Sequence, residues 1–516
     1  MIPSSAKTLR LILGDQLNHQ HSWFQQVDPN ICYVMMEIRS ETDYAKHHIQ
    51  KVLGFFAAMR QFAYELREQG HQLIYFRLQD VGNSQRFDSN CQRLIDAHGI
   101  SRFEYMQADE FRVNAHLTAF VNSLSIDHVC VDSEHFLSTP AEFQSIFKGK
   151  KTYLMETFYR HMRKKHGFMV DEEGQPWMGQ WNFDQDNRQK LPKNHRPPAP
   201  YVFANDLRDI EIEIREAGVK TIGFVEASHF LWPISRTQSL ALLEYFLDHC
   251  FCFFGTFQDA MAPGEWSLYH ARISFSLNVK LISPREVIER AIKSYEASEG
   301  KVSFAQLEGF VRQILGWREY MRAIYFLEMP NFAHLNYFNH KNPLPEWFWT
   351  GKTKLTCLKD AIQQSLQVGY AHHIQRLMVT GNFALLAGVN PDEVDAWYLG
   401  IYIDAIEWVE ITNTRGMSQY ADGGIVGTKP YVSSAAYMKK MGSYCSTCFY
   451  DANQKVGPKA CPFNSLYWHF FAKHEGLLGN NPRIGMVYPM WKKMNPEVQQ
   501  GILKQAQFYL DHMDDL

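Results

Sequence analysis

The chain has 516 residues, with 52 Lys and Arg against 55 Asp and Glu for a net charge of −3; 46% of residues are hydrophobic and 14% aromatic. At about 100–200 residues per domain, this length predicts two to four domains, and the composition excludes a disordered, collagen-like or disulfide-stapled chain. No global positive field exists, so nucleic-acid binding has to rest on a local patch.

The start, MIPSSAKTLRLILGDQLN, carries only the short apolar run Leu9–Leu13 and lacks the pattern of a secretory signal. No stretch approaches the ~18–20 apolar residues of a membrane span. The longest candidate, around Phe246–Phe257, is interrupted by Asp248, His249 and Gly255. The expectation is a cytoplasmic monomer without membrane contact.

Over residues 1–135, the apolar runs Leu9–Leu13, Ile31–Met36, Leu73–Phe76, Phe103–Met106 and Val129–Val131 alternate with helical patterns. Val52, Phe55, Phe56, Met59, Phe62 and Leu66, at steps of three and four, mark one face of a helix over 44–68, with Gly70 at its C-terminal cap. Strands alternating with helices predict an α/β domain built on a doubly wound parallel sheet. Ligands of such sheets bind at strand carboxyl ends. Here those are Leu13-Gly14-Asp15-Gln16 and Met36-Glu37, with Glu41 and Tyr44 just beyond.

Residues 136–222 read as a long irregular connector. Lys148–Arg196 holds eleven Lys/Arg against six Asp/Glu, a local +5, and Pro192, Pro197, Pro198 and Pro200 punctuate its end. Such a stretch is either a solvated linker or a patch for a polyanion. From 223 to 516 the chain turns all-helical, with helix-compatible spacing in Gln238–Leu247, Phe304–Phe326, Leu355–Leu366, His373–Leu386 and Pro391–Val409.

Nine cysteines, an odd number, do not read as a disulfide framework. Cys445 and Cys448 form a CxxC, Cys461 follows thirteen residues later before Pro462, and Cys357 lies 88 residues upstream of Cys445. Four thiolates hold either zinc or an iron–sulfur cubane, and the residues alone leave the two even. Cys32, Cys91, Cys130, Cys250 and Cys252 sit in apolar or strand-like runs and are expected to be inert core.

His372-His373-Ile374-Gln375-Arg376, Asp404 through Glu410, and Gly416-Met417-Ser418-Gln419-Tyr420-Ala421-Asp422-Gly423-Gly424 resemble the flavin domain of the photolyase/cryptochrome family. Gly179-Gln180-Trp181-Asn182-Phe183-Asp184, Asn187-Arg188 and Gly316-Trp317-Arg318-Glu319 reinforce the resemblance. It covers essentially the whole chain. The spacing of Cys357, Cys445, Cys448 and Cys461 is similar to the branch that carries a [4Fe–4S] cluster, the bacterial (6-4) photolyases, and raises the cubane reading above zinc.

The resemblance implies FAD held by Arg376 and Asp404, which without the motif would read as an interhelical salt bridge. Glu410 stands where most of the family has an Asn facing flavin N5, and Ile406 replaces a second family Asp. Residues 270–278 resemble the family's Thr-Ser-x-Leu-Ser phosphate loop, although only Ser274 keeps its hydroxyl. His270, Arg272, Ile273 and Ser274, with Phe257, Gln313 and Trp317, are the remaining flavin contacts expected. A hydroxyl and backbone N–H groups at a helix start suit a pyrophosphate.

His373 matches the second histidine of the pair found in animal (6-4) photolyases, and enzymes that repair cyclobutane dimers place Asn there. A (6-4) photoproduct must return an OH or NH group between bases, so proton transfer accompanies electron transfer, and a histidine suits that task. Leu377 stands where the animal enzymes have a further His. His372, Tyr431, Tyr437 and Met417 are expected at the lesion pocket, where aromatics stack a base taken out of the duplex. Trp397, Tyr398 and Trp349 match an aromatic chain carrying electrons to the flavin. Asp15, Glu41 and Tyr44 match a site for a 6,7-dimethyl-8-ribityllumazine antenna, and Asp184 is the candidate for a divalent cation near the lesion.

The function implied is light-driven repair of (6-4) photoproducts in UV-damaged DNA. The alternatives are a cryptochrome-like blue-light receptor with the same cofactors, and a cluster-containing nucleic-acid-binding module without flavin.

Overall fold

β1 (Thr8–Leu11), β2 (Ile31–Met36), β3 (Leu73–Phe76), β4 (Arg102–Met106) and β5 (Asp127–Val131) form one parallel sheet in the order β3-β2-β1-β4-β5. They are seen in a computed structural model that describes residues 6–150 and 152–516. Leu9 pairs with Cys32 and Phe103, and Leu11 with Val34 and Tyr105. These side chains share a core with the helices Phe87–His98 and Phe111–Ser123. Tyr33, Met35 and Met106 face the opposite side, under the helix Ile49–Glu68. Strand order reverses at β1, which places a ligand crevice at the carboxyl ends of β1, β2 and β4.

The helix expected from residue 44 begins at Ile49. His48 is extended, and its ring accepts from the Gln50 N–H at 3.1 Å, capping the first turn. A Cβ on Gly54 would meet Ile403, Phe230 and Phe275, each at 3.3 Å. The α/β and helical halves therefore touch along this helix, and Trp232, Phe275 and Ile403 complete its core.

The connector is less irregular than its composition suggests, with helices at Pro140–Phe147, Met155–His166 and Arg208–Glu216. Thr139 caps the first by accepting from Glu142 N–H at 3.2 Å, ahead of Pro140 at the first helical position. Phe143, Phe147, Phe158 and Met162 enter the core of the helical half.

One expectation needs correction. Arg236–Phe257 is a 22-residue helix long and apolar enough, by length and composition, to cross a membrane. Asp248 and His249 lie on its exposed face, in a stretch that turns π-helical over Phe246–Cys250 and 3-10 over Phe251–Phe253, while Leu242, Leu243, Phe246, Phe251 and Phe254 pack into the core.

The helical half departs from regular α-helix at several places. Phe246–Cys250, Arg312–Arg318, Gln375–Gly381 and Thr412–Ser418 are π-helical stretches inside longer helices. The helix expected over Pro391–Val409 is interrupted after Ile401 and resumes at Glu407, with Tyr402 and Ile406 extended. Asp404 sits in that interruption.

Candidate functional site

The break at Asp404 and the π-helical turn at Arg376 bring their side chains together. The Arg376 guanidinium donates from Nη1 to Oδ1 at 3.0 Å and from Nη2 to Oδ2 at 3.1 Å, and its Nε donates to the Ala371 carbonyl at 2.6 Å. It lies 3.8 Å above the Tyr402 ring. Ser274 donates to Asp404 Oδ2 at 2.6 Å, and Asn278 donates to its backbone carbonyl at 2.7 Å. The hydroxyl retained at position 274 thus reaches the pair.

Glu410 is buried on the short helix Glu407–Ile411, and its Oε1 has no partner. Burial, then the neighbouring Asp395, holds its carboxyl well above the usual range. Burial therefore favours its uncharged form. Glu410→Gln, which copies the protonated form, is therefore expected to change stability at pH 7 by under about 1 kcal/mol; denaturant titration checks this, and a larger loss shows that the carboxyl is ionised.

His373 is exposed by surface area, yet protein surrounds its ring closely enough to push its pKa down to about 4, with Arg376 and then Arg188 adding to the effect. The ring is thus solvent-accessible and within electrostatic reach of both Arg376 and Arg188. His372 is buried behind it, stacked on His270 with centroids 4.8 Å apart and planes 10° from parallel. His372 Nδ1 and His270 Nε2 both lack partners.

Arg188, from the connector, forms the other side. Its Nη2 donates to Asp184 at 2.7 Å and its Nε lies 3.9 Å from Asp259. Asp259 also accepts from the Tyr437 hydroxyl at 3.5 Å, and Arg188 acts electrostatically on Tyr431. Tyr431 and Tyr437 are half-buried and Met417 is buried. Among the described residues no three His, Cys, Asp or Glu side chains form a site for a single metal ion. A cation at Asp184 would have to displace Arg188.

Several expected contacts have other partners. Phe257 packs on His195 and Tyr269, Arg272 donates to the Tyr201 carbonyl at 2.7 Å, and Ile273 is core. Gln313 and Trp317 are half-buried on the π-helical stretch Arg312–Arg318, where Gln313 donates to Gly309 at 3.4 Å and Trp317 meets Tyr320 edge-on.

An aromatic series leads away from Arg376. Tyr402 lies 5.6 Å from Tyr398 and 5.8 Å from Trp397, whose indole donates to the Phe348 carbonyl at 2.9 Å. Trp349, next in sequence to Phe348, is 36% exposed. Tyr402, which the sequence reading passed over, is the ring nearest the guanidinium in this set. Its polar character and position beside Asp404 were the available signal.

At the sheet's carboxyl edge, Asp15, Glu41 and Tyr44 line one cavity, which admits the centre of a water molecule over about 110 Å³. Arg112 lies 4.1 Å above the Tyr44 ring and donates to Glu41 at 3.0 and 2.9 Å. Lys280 donates to the Asp15 carbonyl and to Asp109, both at 2.6 Å. Burial nevertheless raises the Asp15 carboxyl. Lys51, Asp109 and Glu110, which sequence reasoning missed, also line the cavity. Burial, then Glu407, pushes Glu110 up to about 7. Ala405 and Ile406 form part of the wall, so this cavity and the Arg376–Asp404 pair share the 404–406 segment.

Of the four candidate metal-ligating cysteines, Cys357 and Cys461 are buried and Cys445 and Cys448 half-buried. Burial, then Cys461, Cys448 and Cys445, pushes the Cys357 thiol well above its usual range, so all four lie within electrostatic reach. Four thiols within mutual electrostatic reach are a chemically suitable donor set for a polynuclear cluster, in which each iron takes its own thiolate. Cys32, Cys91 and Cys250 are buried as expected; Cys130 is not core, because β5 is an edge strand and exposes it, and Cys252 is half-buried.

The residues also fit a flavin. The Arg376–Asp404 pair, the buried Glu410 carboxyl and unpartnered buried atoms on His270, His372 and Glu410 supply polar groups open to a ligand. Buried polar atoms are rarely left unpaired unless a ligand or water completes them.

Comparison with known proteins agrees. A family model described as deoxyribodipyrimidine photo-lyase-related protein matches residues 10–230. Over 508 residues, 98% of this chain and 99% of the relative, the sequence is 40% identical to the (6-4) photolyase of Agrobacterium fabrum. The fold is similar to that of a bacterial class III photolyase from Agrobacterium tumefaciens, with a TM-score of 0.57 and 14% identity over 99% of this chain and 92% of that one. A Synechocystis cryptochrome matches with a TM-score of 0.54 and 12% identity over 97% and 94% of the two chains. Near-full-length identity, joined to this α/β-plus-helical architecture, means that the chain belongs to the photolyase/cryptochrome family.

Proposed function

We propose that the protein is a light-driven DNA repair enzyme acting on (6-4) photoproducts. The observation that carries this reading is the placement of His373, accessible yet enclosed, between the Arg376–Asp404 pair and the rim formed by Arg188, Tyr431 and Tyr437. FAD bound at Arg376 and Asp404 supplies, when reduced and excited, the electron that enters the lesion. Tyr431 and Tyr437 present aromatic faces to the extruded bases, and Arg188 offers a cation on the same side. His373 gives a proton from its imidazole to the OH or NH group that must return between the bases. The electron and proton come back when the bond between the bases has broken, so the reaction is a net rearrangement.

The cavity of Asp15, Glu41 and Tyr44 is proposed to hold the lumazine antenna, its carboxylates accepting from ribityl hydroxyls while Phe55, Phe56 and Met59 pack against the ring. Cys357, Cys445, Cys448 and Cys461 are proposed to hold a [4Fe–4S] cluster. The basic connector is proposed to grip phosphates, so binding weakens steeply with salt.

Blue-light illumination of an oligonucleotide containing one (6-4) lesion tests the reading, with restored bases counted by chromatography and the protein's absorption, iron and sulfide measured beside it. Restored bases are expected. A yellow protein that restores none supports the photoreceptor alternative, and a colourless one removes both.

A further inference from the structure

The segment after the helix Pro462–Lys473 presents an unusual surface. Ile484, Tyr488 and Trp491, at steps of four and three, are buried, which fixes the inward face of the helix Val487–Lys492 and its preceding turn. The outward face carries Met486 and Met490, 74% and 56% exposed, with Lys493 three residues further and Arg483 three residues before. This face sets two exposed thioethers between two cations, an apolar centre with a basic rim. It also lies beside the proposed lesion pocket. Asn481 donates to the Thr428 carbonyl at 3.1 Å, three residues before Tyr431, and Arg483 acts electrostatically on the Tyr431 phenol.

We propose that this face is a second DNA-contact element, in which Arg483 and Lys493 hold backbone phosphates and Met486 enters the gap left in the duplex when the lesion is extruded. The proposal rests on the repair reading above. Its occupant follows from charge and chemistry: cations match phosphate, and an unbranched apolar side chain suits a space between stacked bases, as apolar wedges do in proteins that unstack DNA. Methionine adapts to an irregular gap at small conformational cost.

The test titrates the flavin-loaded protein with three labelled DNAs: a duplex with one (6-4) lesion, the same lesion in single strand, and an undamaged duplex. Met486→Ala is expected to weaken binding of the lesion duplex about tenfold and leave the single strand within about twofold, because a single strand has no gap to fill. Arg483→Ala with Lys493→Ala is expected to weaken both duplexes and flatten the slope of log Kd against log salt by about two, at roughly 0.9 per phosphate contact. Unchanged flavin absorbance checks folding of both variants. If both bind all three DNAs as the parent does, the face serves a partner other than DNA and the proposal is overturned. If the parent itself shows no preference for the lesion, the repair reading is what fails. The undamaged duplex still decides on Arg483 and Lys493, since an unchanged salt slope there rejects the contact.

Discussion

Replacing His373 by Ala is expected to lower repair by about 10²–10⁴-fold, the range for losing a positioned acid, while flavin content stays at the parent level. The ring lies outside the hydrogen bonds that join Arg376, Asp404 and Ser274, so the cofactor contacts survive the change. The pH dependence has a definite sign. Enclosure first, then Arg376 and Arg188, holds the free imidazole down to about 4. At pH 7 the ring of the free protein is the neutral imidazole, a poor acid. Docked DNA brings negative charge, which favours the cationic form and raises that pKa. Repair yield per photon should therefore fall as pH rises through an apparent pKa lying above about 4, and the Ala variant should show no such step. The same depression makes His373 stabilise the folded state above its ordinary pKa near 6.5, a contribution lost as pH falls from there toward 4. Repair yields measured over pH 5–9 decide the matter: full activity in the Ala variant reassigns the proton donor.

Arg376→Leu should be the most damaging single change to the helical half. Its guanidinium makes both hydrogen bonds to the Asp404 carboxylate and covers the Tyr402 ring. Without it, Asp404, whose side chain is only 9% exposed, keeps the Ser274 hydroxyl alone. Stranding one partner of a buried ion pair costs about 3–5 kcal/mol. Denaturant titration should show a loss of that size together with loss of bound flavin. Adding Asp404→Leu should recover much of the stability and none of the flavin, since replacing both partners with apolar groups removes the stranded charge. A variant within about 1 kcal/mol of the parent that still binds flavin would falsify the role assigned to the pair.

Much of the α/β half was legible from local pattern. The apolar runs coincide with β1 to β5 to within two residues at either end. The inner strands β2 and β4 are buried nearly throughout and so read as continuous apolar runs, whereas the edge strand β5 is largely exposed and its apolar run Val129–Val131 covers only its last three residues. The strand-end rule also located the cavity that Asp15, Glu41 and Tyr44 line. Lys51, Asp109 and Glu110 escaped notice because nothing in their immediate sequence distinguishes a cavity lysine or carboxylate from a solvated one. The membrane-length helix Arg236–Phe257 was misjudged for a similar reason: interruptions counted along the chain do not reveal that Asp248 and His249 share an exposed face.

What the sequence by itself determined is the order of parts: alternating strands and helices, then a basic connector, then helices with motif residues at set spacings. Hydrophobic periodicity and residue chemistry are local quantities and can be read one segment at a time. Tertiary structure alone decided where backbone geometry departs from those periods. The π-helical turns that carry Arg376 and Met417 have no counterpart in the sequence periodicity, and the break that frees Asp404 sets it against Ser274 and Asn278, more than a hundred residues away. So does the meeting of Arg188 with Asp259 and of His270 with His372. Such contacts depend on which surfaces the folded chain presses together, and no periodicity along the chain encodes that.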